Sequence, residues 1–521
     1  KILNMEPLIN ENNISNENEI DEKHIWKIIR SHFETKGLIH HQIESFDNYI
    51  NFGIQQVIDE ESDILLIPKK GQEYKIHFSH VSVGKPSIIE EDRKLHQIFP
   101  IEARNRDLNY DSVIYCDIRE TLTENDKIIE DNFHTRVNIG RTPIMLRSNV
   151  CNLSDVTTDE RIKQGECEFD QGGYFIIKGN ERVIVAQIRG KYNQIIVLKC
   201  KEKYRYTAEI RSMSEETGHS ILIKAMISKD DRTIVFSLPY IKELIPAGIV
   251  FKALGFTTDE DITNLIGLEG KRASKYMDLI LRDSFFIDSQ DAALKYIGQY
   301  SMHIISKDKR ETYAWQVVET ELFPHMGISA TIKEKAMFIG LIIKKLIYTN
   351  IGLRSPDDRD NYSNKIIEST GILCTELFRT LYKRFLHAIK SQIEKKKSRF
   401  EILSIINKQN GITNGLKHSW STGNWGVQKN SYIRTGVSQI LSRITYGAML
   451  SHLRRIIIPI GKEGKNAKIR QIHSSQYGYI CVTGDTDILI PSKSLTTKIK
   501  NLDEGKIVIT VSPDTLENEP S

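Results

Sequence analysis

Cys481 carries the most specific chemistry in this chain, because of what stands on either side of it. Upstream runs Gln471-Ile472-His473-Ser474-Ser475-Gln476-Tyr477-Gly478-Tyr479-Ile480, and downstream the register changes abruptly to Val482-Thr483-Gly484-Asp485-Thr486-Asp487-Ile488-Leu489-Ile490. A thiol whose own amide nitrogen closes the preceding peptide bond can attack that bond's carbonyl. Here the carbonyl is that of Ile480, and attack converts the amide to a thioester. A lone Cys is more often inert. The signal lies in its combination with Gly484-Asp485-Thr486 and with the alternating strand expected over Asp487 to Ile490.

A second constellation is basic: Arg454, Arg455, Lys462, Lys465, Lys468 and Arg470, opposed only by Glu463. Pro459-Ile460-Gly461 and Gly464 make part of it a loop, and basic side chains on such a loop can track phosphates with salt-dependent affinity. A solvated loop accounts for the same residues. Just upstream, Gln439 and Arg443 could hydrogen-bond a nucleic-acid backbone. The spacing there predicts a helix burying Val437, Ile440 and Ile444, and ordinary helix packing explains the pattern equally well. Asp357, Asp358 and Asp360 after Pro356 invite a Mg²⁺ reading. The favoured alternative is a capping aspartate for a helix starting near Arg359, with the others paired to Arg354 or Arg359. Gly172-Gly173 and Gly179 sit in a hairpin and do not form a phosphate loop. His40, His41, His387 and His452 are isolated, and read as packing or surface residues.

The scaffold must be large. With 521 residues the chain accommodates three or four domains, and its 40% hydrophobic and 27% charged content is ordinary for a soluble protein. The net charge of +4 is too small to announce nucleic acid, so any such footprint must be local. The six cysteines, at 116, 151, 167, 200, 374 and 481, include no C-x-x-C pair, which favours a reducing intracellular compartment over a disulfide framework. The residues Lys1-Ile2-Leu3-Asn4 lack the basic-apolar-small layout of a signal peptide. The longest apolar run, Ala336 to Ile343, is bracketed by Lys335 and Lys344 and is too short to span a bilayer.

The polar, Asn/Glu-rich opening predicts a disordered tail. A helix follows with Ile25, Ile28, Ile29 and Phe33 on one face and Gly37 at its end, then another carrying Phe46, Ile50, Ile54 and Val57. Short β-rich runs occupy about 63–200. The clearest is a hairpin whose arms are Tyr174 to Ile177 and Arg182 to Ala186, turning at Lys178-Gly179-Asn180-Glu181, where Gly-Asn would supply positive φ. A Lys-flanked helix is expected around 332–348, and two long helices after Pro356. One of those places Leu377, Leu381, Phe385, Ile389 and Ile393 on a stripe and ends in Lys395-Lys396-Lys397. The stretch 409–480 reads as loop-rich with one helix.

Ordered segments of this chain resemble the second-largest subunit of multisubunit DNA-directed RNA polymerases of the eukaryotic, archaeal and large-DNA-virus type. They include Lys36-Gly37-Leu38, Gln42-Ile43-Glu44-Ser45-Phe46, Phe99-Pro100-Ile101-Glu102-Ala103-Arg104 and Ile139-Gly140-Arg141-Thr142-Pro143-Ile144-Met145-Leu146-Arg147-Ser148. The series continues with Phe169-Asp170-Gln171-Gly172-Gly173-Tyr174-Phe175-Ile176-Ile177, Pro356-Asp357-Asp358-Arg359-Asp360 and Thr422-Gly423-Asn424-Trp425-Gly426. It ends with Gly436-Val437-Ser438-Gln439 and Leu450-Ser451-His452-Leu453-Arg454-Arg455.

The resemblance covers about 20–480 and implies an α+β multidomain chain. The implied parts are a tail over 1–19, a protrusion over 20–198 and 354–417, a lobe over 199–353 inserted within it, and part of a fork over 418–480. It implies that Gln439, Arg443, Arg454 and Arg455 line nascent RNA. Lys462, Lys465 and Lys468, and by continuity Arg470, would lie near strand separation. The Asp357–Asp360 cluster would then be structural, because the family's Mg²⁺ is held by the largest subunit and its Zn²⁺ by a C-terminal part. No cofactor is expected on this chain. Implied partners are the largest subunit, the other polymerase subunits, template DNA and nascent RNA. The expected place is the nucleus, or the host cytoplasm or virion for a virus, and no membrane is involved. The nucleotidyltransferase centre belongs to the assembled complex, and the chain alone is expected to lack it.

The last stretch, 481–521, resembles the N-terminal part of an intein and is expected to be β-rich. Cys481 matches the splicing nucleophile, Asp485-Thr486 the first motif, and Asn501-Leu502-Asp503-Glu504-Gly505-Lys506-Ile507-Val508 the strand and turn that follow. That family's Thr-x-x-His motif protonates the leaving nitrogen. No His follows His473, so the segment is expected to be a fragment that is inert in isolation. A complementary downstream fragment, joined by trans-splicing, is one expected partner; a truncated reading frame is favoured over it. The competing readings are a non-catalytic nucleic-acid-binding scaffold and a hedgehog-like autoprocessing tail.

Overall fold

The computed structural model describes residues 22–66, 72–90, 94–125, 127–200, 203–215, 217–230, 232–302, 306, 309–327, 329–395, 401–426, 434–459, 471–477, 487–490, 495–498, 507–509 and 518–520. The expected tail over 1–19 and Lys396 and Lys397 lie outside them.

Two separate hydrophobic cores organise the chain. The first draws on residues from Leu38 to Val185 and again from Leu373 to Leu453. Its axis is the 26-residue helix Thr370–Lys395, whose residues Leu377, Leu381, Phe385, Ile389 and Ile393 are all buried, as their spacing requires. Against it lies a helical run read from the sequence as one element. It is built as His40–Asn48, a π-helical turn Tyr49–Gly53, and Ile54–Glu60, with Phe46, Ile54 and Val57 buried. Gly371 sits where the two helices cross. A Cβ there would collide with the Ser45 carbonyl oxygen, so the close approach needs glycine. An antiparallel sheet of Asp63–Leu66, Gln72–Val83, Asp111–Glu124 and Lys127–Pro143 covers the helices.

The second core uses residues from Ile195 to Ile347 only. An antiparallel five-stranded sheet runs Ile196–Lys199, Tyr204–Met213, Ser220–Ser228, Ile234–Ser237, Ile245–Pro246. Helices pack on it, ending with Ile332–Asn350, where Thr331 and Glu334 form a reciprocal capping box. The strand Ile196–Lys199 belongs to this sheet. The chain leaves the first core along Ala186–Gly190 and returns along Lys365–Glu368, and these two strands pair directly, Gly190 opposite Lys365 and Gln187 opposite Glu368.

Several elements depart from the sequence reading. The helix Glu22–Lys36 forms, and Gly37 ends it at φ +76° with its N–H on the Phe33 carbonyl at 2.9 Å. The start of its apolar stripe is uncovered among the described residues, with Ile25 45% and Ile28 68% exposed, while Phe33 packs against the first core. After Pro356 there is one long helix, not two. The shorter Ile402–Asn407 and Gly411–Thr422 follow it in place of the expected second, and among the described residues 409–480 holds two helices where one was expected. The hairpin pairs Phe175–Ile177 with Asn180–Ile184, and its positive φ values fall on Lys178 and Gly179, while Asn180 already belongs to the strand. Ile177 opposite Asn180 leaves a two-residue loop, which demands positive φ at both central positions. Among the described residues no helix is long and apolar enough to cross a membrane.

Candidate nucleic-acid interface

The segment carrying Gln439 and Arg443 is not helical. Gly436 at φ +74° breaks any helix, and Ser438–Ile440 adds a third strand to the hairpin, pairing with Asn180–Ile184. Val437 is fully buried as expected, but Ile440 is 63% and Ile444 87% exposed, so the predicted buried helical face does not exist. Pairing with a distant strand overrides the local period: Val185 donates to the Val437 carbonyl and Leu441 to that of Glu181, both at 2.9 Å. A loop then leads to the helix Tyr446–Leu453, whose N-terminal Thr445 side chain accepts from the Ala448 N–H at 3.1 Å.

Arg443 anchors that loop. Its Nε donates to Glu181 at 2.6 Å and its Nη2 to the other Glu181 oxygen at 2.9 Å and to Asp170 at 3.2 Å. The guanidinium also lies 5.0 Å from the Tyr174 ring centroid. Arg104 closes the cluster from the far side, donating to Glu181 at 2.8 Å, to Glu166 at 2.9 Å and to the Tyr174 hydroxyl at 2.8 Å. Burial opposes the charge on Arg443, yet Glu181, Tyr174 and Asp170 outweigh it and raise its pKa above the ordinary value. Two guanidiniums facing three carboxylates form a satisfied internal network, so Arg443 positions the loop through these partners.

Gln439 is likewise engaged. Its amide nitrogen donates to the Gly436 carbonyl at 3.0 Å, and its oxygen lies 3.0 Å from His452 Nε2. His452 is buried, and its Nδ1 accepts the Ser442 N–H at 3.1 Å. That assigns the ring proton to Nε2, donated to Gln439, and makes the imidazole a neutral strut between strand and loop. Arg454 donates to the Leu38 carbonyl oxygen. Arg455 is exposed and has no side-chain partner among the described residues. Beyond it the strand Ile456–Ile457 runs parallel to Ala186–Gly190. Of the basic constellation, Arg455 is the described side chain most open to a ligand.

Lys462, Lys465, Lys468 and Arg470 lie outside the described residues, as do Ile480, Cys481, Asp485 and Thr486. Past them, Asp487–Ile490 pairs antiparallel with Leu495–Lys498, so the alternating strand is present, and Ile507–Ile509 pairs with Asn518–Pro520.

Two of the aspartates after Pro356, Asp357 and Asp358, are committed to protein partners. Asp357 binds Arg354 at 2.6 Å and accepts the Val197 N–H at 2.8 Å. Asp358 binds His473 at 2.7 Å and accepts the Asp360 N–H at 2.9 Å. Arg359 pairs with Glu209, 2.5 Å away, and not with an aspartate. The nearest helical turn is the short Tyr362–Asn364, capped by Asn361, so no aspartate caps a helix at Arg359. Among the described residues, no group of three His, Cys, Asp or Glu side chains could hold a metal.

Two features escape sequence reasoning. One is the Arg104–Glu166–Asp170–Glu181–Tyr174 cluster, whose members are up to 77 positions apart before Arg443 joins them, so no spacing signals it. The other is the docking of 471–477 on the loop after Pro356. His473 meets Asp358 there, the Tyr362 N–H donates to the Ser475 hydroxyl at 2.9 Å, and Gln476 to the Tyr362 hydroxyl at 3.1 Å.

Residues 37–414 match the family model described as RNA polymerase beta subunit, and 439–486 match the one described as RNA polymerase Rpb2, domain 3. The second match runs past the Ile480–Cys481 bond. The chain is similar to a probable DNA-directed RNA polymerase II subunit RPB2 homolog of Invertebrate iridescent virus 6, at 38% identity over 89% of this chain and 44% of that protein. It is 37% identical to DNA-directed RNA polymerase II subunit 2 of Arabidopsis thaliana, over 89% of this chain and 42% of the relative. DNA-directed RNA polymerase subunit Rpo2 of Saccharolobus solfataricus is 33% identical over 89% of this chain and 40% of its own length. The chain thus spans less than half the length of these relatives.

Proposed function

Because this chain belongs to the RNA polymerase beta subunit family, we propose that it serves as the N-terminal part of the second-largest subunit of a DNA-directed RNA polymerase. The observation that carries the reading is the family match over 37–414, continued over 439–486. In this reading the first core is the protrusion, the second the inserted lobe, and 418–480 the beginning of a fork beside the nucleic acid. The work is intracellular, with the largest subunit and other polymerase subunits as partners and template DNA and nascent RNA as ligands. The catalytic Mg²⁺ belongs to the largest subunit. The chemistry of nucleotide addition therefore lies elsewhere in the assembly, and this chain supplies positioning and electrostatics.

Within the candidate interface the roles divide. Arg443, Gln439 and His452 hold the loop through protein contacts, whereas Arg455, with Lys462, Lys465, Lys468 and Arg470 following it, is free to neutralise phosphates. Reconstitution with the rest of the subunit and its partners tests this. The expected result is template-dependent RNA synthesis by the assembly and none by the chain alone, with Arg455→Ala shortening elongation-complex lifetime most at low salt, where an ionic contact is least screened. An unchanged lifetime in Arg455→Ala and in the combined lysine variants counts against the interface.

The finer part of the proposal is that an intein opens at Cys481. Its support is Cys481 followed by Gly484-Asp485-Thr486 and a paired strand at Asp487–Ile490. Against it stands the family match continuing to Thr486. Mixing the chain with a complementary downstream fragment is expected to yield a ligated product that Cys481→Ala abolishes. Ligation that survives the substitution refutes the assignment.

A further inference from the structure

The second core displays two phenylalanines outward. Phe285 is 81% and Phe286 63% exposed, both in the turn between the helices Lys271–Arg282 and Gln290–Gly298. The turn is held rigidly from beneath. Lys252 is buried, and its ammonium donates to the Ser284 carbonyl at 2.9 Å and the Ile287 carbonyl at 2.7 Å, straddling the pair. A buried ammonium without a carboxylate partner is expensive, so its use to brace a surface turn marks that turn's shape as valuable. Ser284 is buried against Gly248, where a Cβ would strike its hydroxyl, and Ile287 is 4% exposed. Phe286 rests edge-on against Tyr296 at 5.7 Å, and Tyr296 against Tyr300 at 5.4 Å. The result is a braced aromatic knob on an aromatic shelf, which solvent alone does not favour.

We propose that Phe285 and Phe286 form a docking knob for a protein partner presenting an apolar cleft with a basic rim. The flanking charges select that partner. Arg282 lies beside Asp283 and Lys295 beside Glu311, which leaves the exposed Asp288 and Asp291 as the uncompensated charge next to the knob, so its surroundings are net acidic. Exposed aromatics could also stack nucleic-acid bases, but this acidic collar repels phosphates. A cleft lined by aliphatic residues and edged with Lys or Arg satisfies both the rings and the collar, and preorganisation of the turn removes the ordering cost of binding. The proposal rests on the polymerase reading only in taking the partner to be another polypeptide of that assembly.

The test places p-benzoylphenylalanine at position 286 of the full chain within the reconstituted assembly and irradiates it. The expected product is a single protein–protein cross-link to a peptide rich in aliphatic residues and flanked by Lys or Arg. Asp288→Lys with Asp291→Lys should lower its yield about tenfold in chain that still enters the assembly. Phe285→Ser with the probe retained should lower it as well. A cross-link to nucleic acid, to a second copy of this chain, or to a peptide indifferent to the charge reversal overturns the proposal, as does an assembled complex with no cross-link. Failure of the unsubstituted chain to enter the assembly overturns the polymerase reading itself.

Discussion

Arg443 and Arg455 look alike in the sequence and do different work in the structure. Arg443 is tied bidentately to Glu181 and again to Asp170, both largely buried. Arg443→Ala strips a charge-assisted partner from two carboxylates and is expected to destabilise the fold by about 1–3 kcal/mol, discounted for the partial exposure of the guanidinium. Arg443→Lys should recover only part of this, since an ammonium cannot reproduce the fork. Denaturant titration measures both. Arg455→Ala should leave the unfolding midpoint unchanged and reduce the salt slope of nucleic-acid binding by about one. His452 adds a pH dependence. Burial, and then the neighbouring Arg455 charge, lower its pKa from 6.5, and protonation would place a hydrogen on Nδ1 against the Ser442 N–H. Because the folded value lies below the unfolded one, the neutral ring's contribution is fully present above about 6.5 and is lost as pH falls towards the depressed value. Denaturant midpoints should therefore drop between pH 7.5 and pH 5.5, and His452→Gln should lessen the drop; equal slopes would exclude this residue. The basic character of the region was readable from residue types. Which arginine is committed was not, because its carboxylate partners stand far away in the sequence.

Among elements, those with a long, self-consistent period were readable. The stripe of Thr370–Lys395 runs unbroken from Leu377 to Ile393 and buries as its spacing demands. The three-residue strand Ser438–Ile440 was not readable, since its register is dictated by Asn180–Ile184 and not by its own residues. Its misreading as a helix had a measurable consequence, because Ile440 was assigned to the interior and lies outside. Ile440→Lys should be tolerated without loss of folded protein, while Val437→Asp should prevent soluble expression by burying an unpaired carboxylate. The helix crossing at Gly371 gives a second element-level expectation. Gly371→Ala forces a methyl into the Ser45 carbonyl, and should lower stability by at least about 2 kcal/mol despite alanine's better helix propensity. A stabilised variant would mean that the two helices separate freely.

At the scale of the molecule, two cores imply two cooperative units. Calorimetry of the full chain should resolve two transitions, with Ile389→Ala lowering one and Ile342→Ala the other, each by the equivalent of about 2–5 kcal/mol. A single transition moved by both substitutions would mean that the cores melt together. The existence of a second unit was suggested in the sequence by the resemblance alone, since a mixed helix-and-strand pattern does not by itself mark a separate core. Its edges are set by backbone pairing. Gly190 lies opposite Lys365, the Lys191 N–H donates to the Asn364 carbonyl, and Val197 and Asp357 are hydrogen-bonded through both of their N–H groups. The outgoing and returning segments are thus zipped together before the second body begins. Such a zipped stem makes the inserted body a cassette. Its length hardly affects the scaffold, because a twofold change in a loop whose ends are already joined alters closure entropy by only about 0.6 kcal/mol. Descendants of such a chain are free to enlarge, shrink or redecorate the outer body, while the helices and strands that frame the interface stay where they are.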